Sequence, residues 1–76
     1  MNKNRRKALK ALMDQLEEIK SSLEEIQSEE EDYRDNIPEN MQGSERYEKA
    51  EEACSNLEDA VSNLEDVISS IEAATE

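Results

Sequence analysis

The sequence predicts an all-α protein, an antiparallel two-helix hairpin of the coiled-coil type. Two long segments place apolar residues at alternating steps of three and four, and they flank the only proline and the only glycine of the chain. This spacing keeps one side of a helix apolar, so that it can face a partner helix. The chain has 76 residues and no Trp, Phe or His, which suits one small domain and excludes a layered aromatic core.

The first helix is expected over about residues 5–35. With Leu9 set at heptad position a, Glu30 is the one polar residue on its seam. At about 1.5 Å per residue, such a helix is ~45 Å long. The apolar seam consists of Leu9, Leu16 and Leu23 at position a and of Leu12, Ile19, Ile26 and Tyr33 at position d.

The segment NIPENMQGS interrupts this pattern, and residues 36–43 are expected to form the turn. Pro38 cannot continue a helix from upstream, because it lacks an N–H group and restricts the residue before it. Gly43 suits a left-handed backbone conformation, and Ser44 suits the N-cap of the next helix. Glu45 then falls in the first turn of that helix, where the helix dipole favours an acid.

The second helix is expected over about residues 44–75. Its position e carries only acids, and its position g adds a row of small apolar residues that includes Ala53, Ala60 and Val67. The seam itself consists of Tyr47, Cys54, Val61 and Ile68 at position a and of Ala50, Leu57, Leu64 and Ile71 at position d.

The two seams match when the helices fold back on each other antiparallel. The facing pairs, from Leu9 with Ile71 to Tyr33 with Tyr47, are all centred on residue 40, inside the expected turn. The only unfavourable facing pair is Glu30 with Ala50. This agreement between two independent segments is the main reason to predict a hairpin.

Charge favours the same arrangement. Residues 1–10 hold five bases and no acid, whereas residues 50–76 hold eight acids and no base. These two ends are neighbours in the hairpin, and each exposed ion pair between them is worth only ~0–1 kcal/mol. We expect Lys20 to reach Glu58, and the N-terminal bases to lie beside Glu65, Asp66, Glu72 and Glu76.

A two-helix hairpin buries only one stripe on each helix, and scaffolds of this size usually need further burial. The flank formed by the g positions is mostly small and weakly polar, with Gln15 and Ser22 on the first helix and Ala60 and Val67 on the second. We therefore expect a homodimer that forms a four-helix bundle through this flank.

The net charge is −12, from 21 acids and 9 bases. Such a field disfavours direct binding to nucleic acid or to anionic membranes and favours a protein partner with a basic surface. Lys10 and Asp14 interrupt any apolar signal segment, and no stretch reaches the ~20 apolar residues of a membrane span. A single cysteine suits a reducing compartment, so a cytoplasmic location is expected.

The sequence offers little chemistry for catalysis. No His is present to activate Cys54, which sits on the apolar seam and is expected to act as a small buried hydrophobe. Paired acids such as Glu17/Glu18 and Glu58/Asp59 fall on the outer positions of the helices, which predicts a solvent-exposed helix face. We therefore expect no enzyme activity, no cofactor and no metal site. The recurring acid pairs leave one sharper alternative, mimicry of nucleic-acid phosphates.

The turn carries a recognisable pattern, N-[IM]-P-E-[NS]-[LM]-Q-x-S, followed by a second helix of the L-E-x-A type. Asn36, Pro38, Glu39, Gln42 and Ser44 supply the match. In these residues the chain resembles a group of short bacterial and prophage-encoded helical-hairpin proteins, over about half its length. The resemblance implies an accessory protein of a phage or mobile element, and it carries over no functional residues.

These observations together favour a non-enzymatic protein–protein interaction module that binds, and in one version inhibits, a partner protein. One alternative is a structural module that only associates with itself. The other is an acidic nucleic-acid mimic that inhibits a defence or DNA-processing enzyme. The candidate partner contacts are Ile37, Met41 and Gln42 in the turn and Ala53, Ala60 and Val67 on the g flank.

Overall fold

The computed structural model describes all residues, 1–76, and contains two long helices and no strand. Helix α1 covers Lys3–Asp35, a short 3₁₀ turn covers Glu39–Met41, and helix α2 covers Glu45–Ala74. The helices pack against each other along their length and form a rod with Cα extents of 59 × 15 × 13 Å. The predicted all-α hairpin is confirmed.

Both helices begin at a side-chain cap. The Asn2 side-chain oxygen accepts a hydrogen bond from the backbone N–H of Arg5 at 2.8 Å, and the Ser44 hydroxyl accepts one from the N–H of Tyr47 at 3.3 Å. Each cap satisfies one of the N–H groups that lack a partner in the first turn of a helix. Because of the Asn2 cap, α1 begins at Lys3, slightly before the start that the apolar pattern predicts.

The turn uses right-handed and extended backbone throughout. The N–H of Asn36 bonds to the carbonyl of Asp32 at 3.0 Å as α1 ends, and Pro38 accepts from the N–H of Met41 at 2.8 Å to open the 3₁₀ turn. No residue has a positive φ, so the expectation of a left-handed Gly43 is wrong. The 3₁₀ turn reverses the chain, and the bond from the Ser44 N–H to the Met41 carbonyl, at 3.1 Å, spans Gly43.

The buried core is small and one-sided. Five residues are buried, and α1 contributes none of them. Four lie on α2, and the fifth closes the turn end of the rod. These residues are Ile37, Ala50, Cys54, Val61 and Ile68.

Helix α1 is rotated relative to the predicted a/d seam. The positions that it turns toward α2 include Leu9, Leu16 and Leu23 at a, as predicted, but also Met13 and Lys20 at e. Its d positions are left on the surface, so the prediction of paired d layers is wrong for α1. Residues four apart lie about 40° apart around a helix, closer than the about 60° between residues three apart. A helix with one neighbour can therefore bury a and e on a narrower face, and the aliphatic stem of Lys20 covers apolar surface there.

Candidate interaction surface

The main surface feature is a row of four large apolar side chains along α1. Leu12 is 48% exposed, Ile19 51%, Ile26 50% and Tyr33 43%. These four residues, here the α1 row, are seven positions apart, which is ~10.5 Å per step along the helix. From Leu12 to Tyr33 the row spans ~32 Å, about half of the 59 Å length of the rod.

The contact at Tyr33 shows which edge of α2 borders this row. The Nε of Arg46 donates a hydrogen bond to the Tyr33 hydroxyl at 2.6 Å, and its guanidinium lies 5.2 Å from the centre of the Tyr33 ring. Arg46 occupies position g of α2, in the same row as Ala53, Ala60 and Val67.

The α1 row and the g row of α2 thus form one continuous surface. Val67 is 45% exposed, while Ala53 and Ala60 are half-buried. We call this surface the apolar flank, and it consists of Leu12, Ile19, Ile26, Tyr33, Ala53, Ala60 and Val67.

The positions that border the apolar flank carry few acids, although the chain is strongly acidic. The bordering c positions of α2 are Lys49, Asn56, Asn63 and Ser70, and the g positions of α1 are Ala8, Gln15, Ser22 and Glu29. Only one of these eight residues is acidic. Desolvating this border costs less than desolvating a row of carboxylates, so this side of the rod is suited to contact with another protein.

The opposite flank is charged and holds the ion pair between the helices. The Lys20 Nζ lies 3.6 Å from a Glu65 carboxylate oxygen and 3.9 Å from one of Glu17. The predicted partner Glu58 is wrong. Side chains on a helix lean toward its N-terminus, so Lys20 and Glu65 lean toward each other across the antiparallel pair, whereas Glu58 leans away.

The N-terminal bases meet the expectation only in part. None of the four ion pairs involves a residue of segment 3–10, so no ion pair joins these bases to Glu65, Asp66, Glu72 or Glu76. Glu72 does line one groove together with Lys3, Arg6, Lys7 and Lys10. Hydration of these exposed groups outweighs the small energy of an exposed ion pair. The open end of the hairpin therefore keeps an uncompensated positive charge.

Two of the three predicted contact residues in the turn are exposed. Met41 is 41% exposed and Gln42 is also exposed. Ile37 is only 3% exposed, so the expectation that it faces a partner is wrong. Its backbone N–H bonds to the Arg34 carbonyl at 3.1 Å, and its side chain closes the end of the core.

Cys54 is buried, as predicted. Burial raises the pKa of its thiol above the ordinary value, while the nearby positive charge of Arg34 opposes that shift. The Nε of Arg34 also bonds to Asp35 at 3.1 Å, and this hydrogen bond raises the pKa of the guanidinium. A neutral, enclosed thiol is a poor nucleophile, so Cys54 acts as a packing residue.

No three Cys, Asp or Glu side chains converge in an arrangement that could hold a metal ion. Neither helix has an apolar stretch long enough to cross a membrane. No protein-family model, no curated protein and no solved structure matches this chain.

Proposed function

We propose that this chain is a non-enzymatic protein–protein interaction module that binds its partner through the apolar flank. The observation that carries this proposal is the exposure of the α1 row, whose four large side chains are about half in water. Burying the exposed half of each such side chain is worth about 1 kcal/mol, so covering the whole row would supply roughly 4 kcal/mol. The burial of Cys54, the only thiol, supports a role outside catalysis.

The cellular setting belongs to the same proposal. The turn pattern around Pro38 supports an accessory protein of a phage or mobile element, acting in the cytoplasm on a partner protein that it inhibits or regulates. Met41 and Gln42, at the exposed turn, form a second contact with that partner.

The test compares capture of binding partners by three forms of the tagged chain. The first is the natural sequence, and the second carries Ile19→Lys and Ile26→Lys in the α1 row. The third is a matched control with Ser21→Lys and Ser28→Lys, which adds the same charge at exposed positions f on the outer face of the same helix.

Partners that depend on the apolar flank are lost from the Ile19/Ile26 variant and retained by the Ser21/Ser28 variant. Circular dichroism verifies that all three forms are helical. Equal capture by all three forms would contradict the proposal, because the partner would then be using another face.

A second candidate function is mimicry of nucleic acid. It is favoured by the observation that only four of the 21 acidic side chains take part in an ion pair, namely Glu17, Asp35, Glu45 and Glu65. The remaining carboxylates are available to a basic groove. For this function, DNA would compete with the chain for its partner, and binding would weaken steeply with salt. Partner binding that is unaffected by DNA and by salt would exclude mimicry.

A further inference from the structure

We propose that a second copy of this chain covers the apolar flank, in an antiparallel four-helix bundle with α1 against α1 and α2 against α2. This inference rests on the proposed function, because it names the occupant of the same surface. Four features of the single hairpin point to it: its surface area, the spacing of its apolar rows, the small residues at its centre and the unlike charges of its two ends.

The surface area of the hairpin is too large for a compact monomer. Its accessible surface is 5745 Å² at 8.7 kDa, whereas a typical folded monomer of that mass exposes about 4,700 Å². The excess of roughly 1,000 Å² is close to the ~800 Å² that each partner buries in a standard interface. One face of the rod, with Cα extents of 59 and 15 Å, offers a comparable area.

The spacing of the α1 row allows a two-fold axis. With the axis midway between Ile19 and Ile26, Ile19 of one copy meets Ile26 of the other, and Leu12 meets Tyr33. All four layers are then apolar, and each residue is used once in each copy. Such self-complementarity is what an isologous interface requires.

The g row of α2 fits the same axis. In the register of the Tyr33–Arg46 contact, the midpoint of the α1 row is level with the midpoint between Ala53 and Ala60. Ala53 of one copy therefore meets Ala60 of the other. These small side chains at the centre leave room for the bulk of Ile19 and Ile26, which large residues at both rows would not.

The charges at the two ends of the rod decide whether the two hairpins pack antiparallel or parallel. Spacing alone also permits a parallel arrangement, with α1 against α2 of the second copy. The open end, residues 1–13 and 68–76, carries five bases and two acids, whereas the turn end, residues 28–52, carries three bases and ten acids. Antiparallel packing places unlike ends together, and parallel packing places like ends together.

The unpaired bases at the open end gain from the antiparallel arrangement. Arg5 continues the α1 row at position d, and in this arrangement it lies beside Glu39, in the acidic turn of the second copy. The net charge of −12 on each chain opposes association in both directions equally, so apolar burial must supply the affinity and the end charges select the orientation.

Sedimentation equilibrium of the full chain at micromolar concentration tests the association. We expect twice the monomer mass of 8.7 kDa. The Ile19→Lys, Ile26→Lys variant should dissociate at least about tenfold more readily, and the Ser21→Lys, Ser28→Lys control should remain dimeric. A dimer that survives Lys at both row positions would overturn the inference.

Spin labels test the direction. In a Cys54→Ala background, one label is placed at Ser22→Cys and, in a second sample, at Ala8→Cys. Antiparallel packing brings the two Ser22 labels close to the axis and separates the two Ala8 labels by about 45 Å. Equal, short distances at both positions would overturn the antiparallel arrangement.

The inference and the proposed function fail separately. A well-folded monomer whose partner capture still depends on Ile19 and Ile26 would overturn self-association and leave the apolar flank as a surface for another protein. A dimer that captures nothing further would support the inference and reduce the function to self-assembly.

Discussion

A matched pair of truncations tests the rotation of α1. Ile68 lies on α2 and is 9% exposed, whereas Ile19 lies in the α1 row and is 51% exposed. Replacing either with Ala removes the same three carbon atoms, so the two changes differ only in their surroundings. The a/d pattern of the sequence, by itself, gives both residues the same role.

The expected costs follow from these exposures. Burial is worth about 0.8 kcal/mol per methylene-sized group, so Ile68→Ala loses about 2.4 kcal/mol from transfer. The cavity that it leaves raises the cost to about 3 kcal/mol. Ile19→Ala loses half of the transfer energy, about 1.2 kcal/mol, and leaves no enclosed cavity in the single hairpin. In the antiparallel bundle Ile19 is covered, and its cost should approach that of Ile68.

Urea unfolding, followed by far-UV circular dichroism, measures both costs. The experiment is done at a dilute protein concentration, where hairpins are separate, and at a high concentration, which favours the proposed antiparallel bundle. The difference between the two variants should be large when dilute and should shrink when concentrated. Equal costs at dilute concentration would refute the rotation of α1, because they would require Ile19 to be as buried as Ile68 within one chain.

Three further predictions follow from local geometry. Gly43→Ala should stabilise the hairpin by about 0.4–1 kcal/mol in urea unfolding. Gly43 has no positive φ, and an added Cβ meets no atom within 4 Å. A loss of stability would contradict the observed turn. Ser44→Ala should lower the free energy of unfolding by about 1 kcal/mol in the same assay, because it removes the hydroxyl that accepts from the Tyr47 N–H. Ser55→Ala, on the exposed face of α2, is the control and should leave stability unchanged. Burial raises the pKa of the Cys54 thiol above its ordinary value. The unfolded chain therefore loses this proton first, and the free energy of unfolding falls as the pH rises through the ordinary thiol range. This part of the fall should be absent from Cys54→Ala when unfolding is compared at pH ~7.5 and ~10, and identical profiles would show that the thiol is not protected.

The two helices and their approximate extents were predictable because the signals for them are local. Three local signals define the helices: apolar residues at steps of three and four, Pro38 in the turn, and Ser44 before an acidic first turn. Each signal acts within a few residues along the chain. The hairpin was predictable for a related reason. Two seams of similar length, separated by one break, match over their full length in one antiparallel register, and the contact of Tyr33 with Arg46 lies close to that register.

The candidate surface was only partly predictable. The pattern placed Ala53, Ala60 and Val67 together on one flank, and the structure shows that this flank borders the α1 row. It wrongly placed the d positions of α1 in the core. The exposed d positions of α1 and the more buried d positions of α2 are both mostly Leu and Ile. The residue types therefore do not reveal which d positions are buried. The exposure of Ile37 was also misjudged, because only the folded turn directs that side chain over the end of the core.

The amino-acid sequence by itself determined that two amphipathic helices form, roughly where each lies in the chain, and that they pair head to tail, because periodicity and capping depend on neighbours along the chain. Only the tertiary structure decided how far α1 turns about its own axis, that Lys20 meets Glu65, and that the N-terminal bases stay unpaired. Those outcomes depend on the shape of the opposing helix and on the lean of each side chain. They decide which apolar residues remain exposed on the surface of the hairpin.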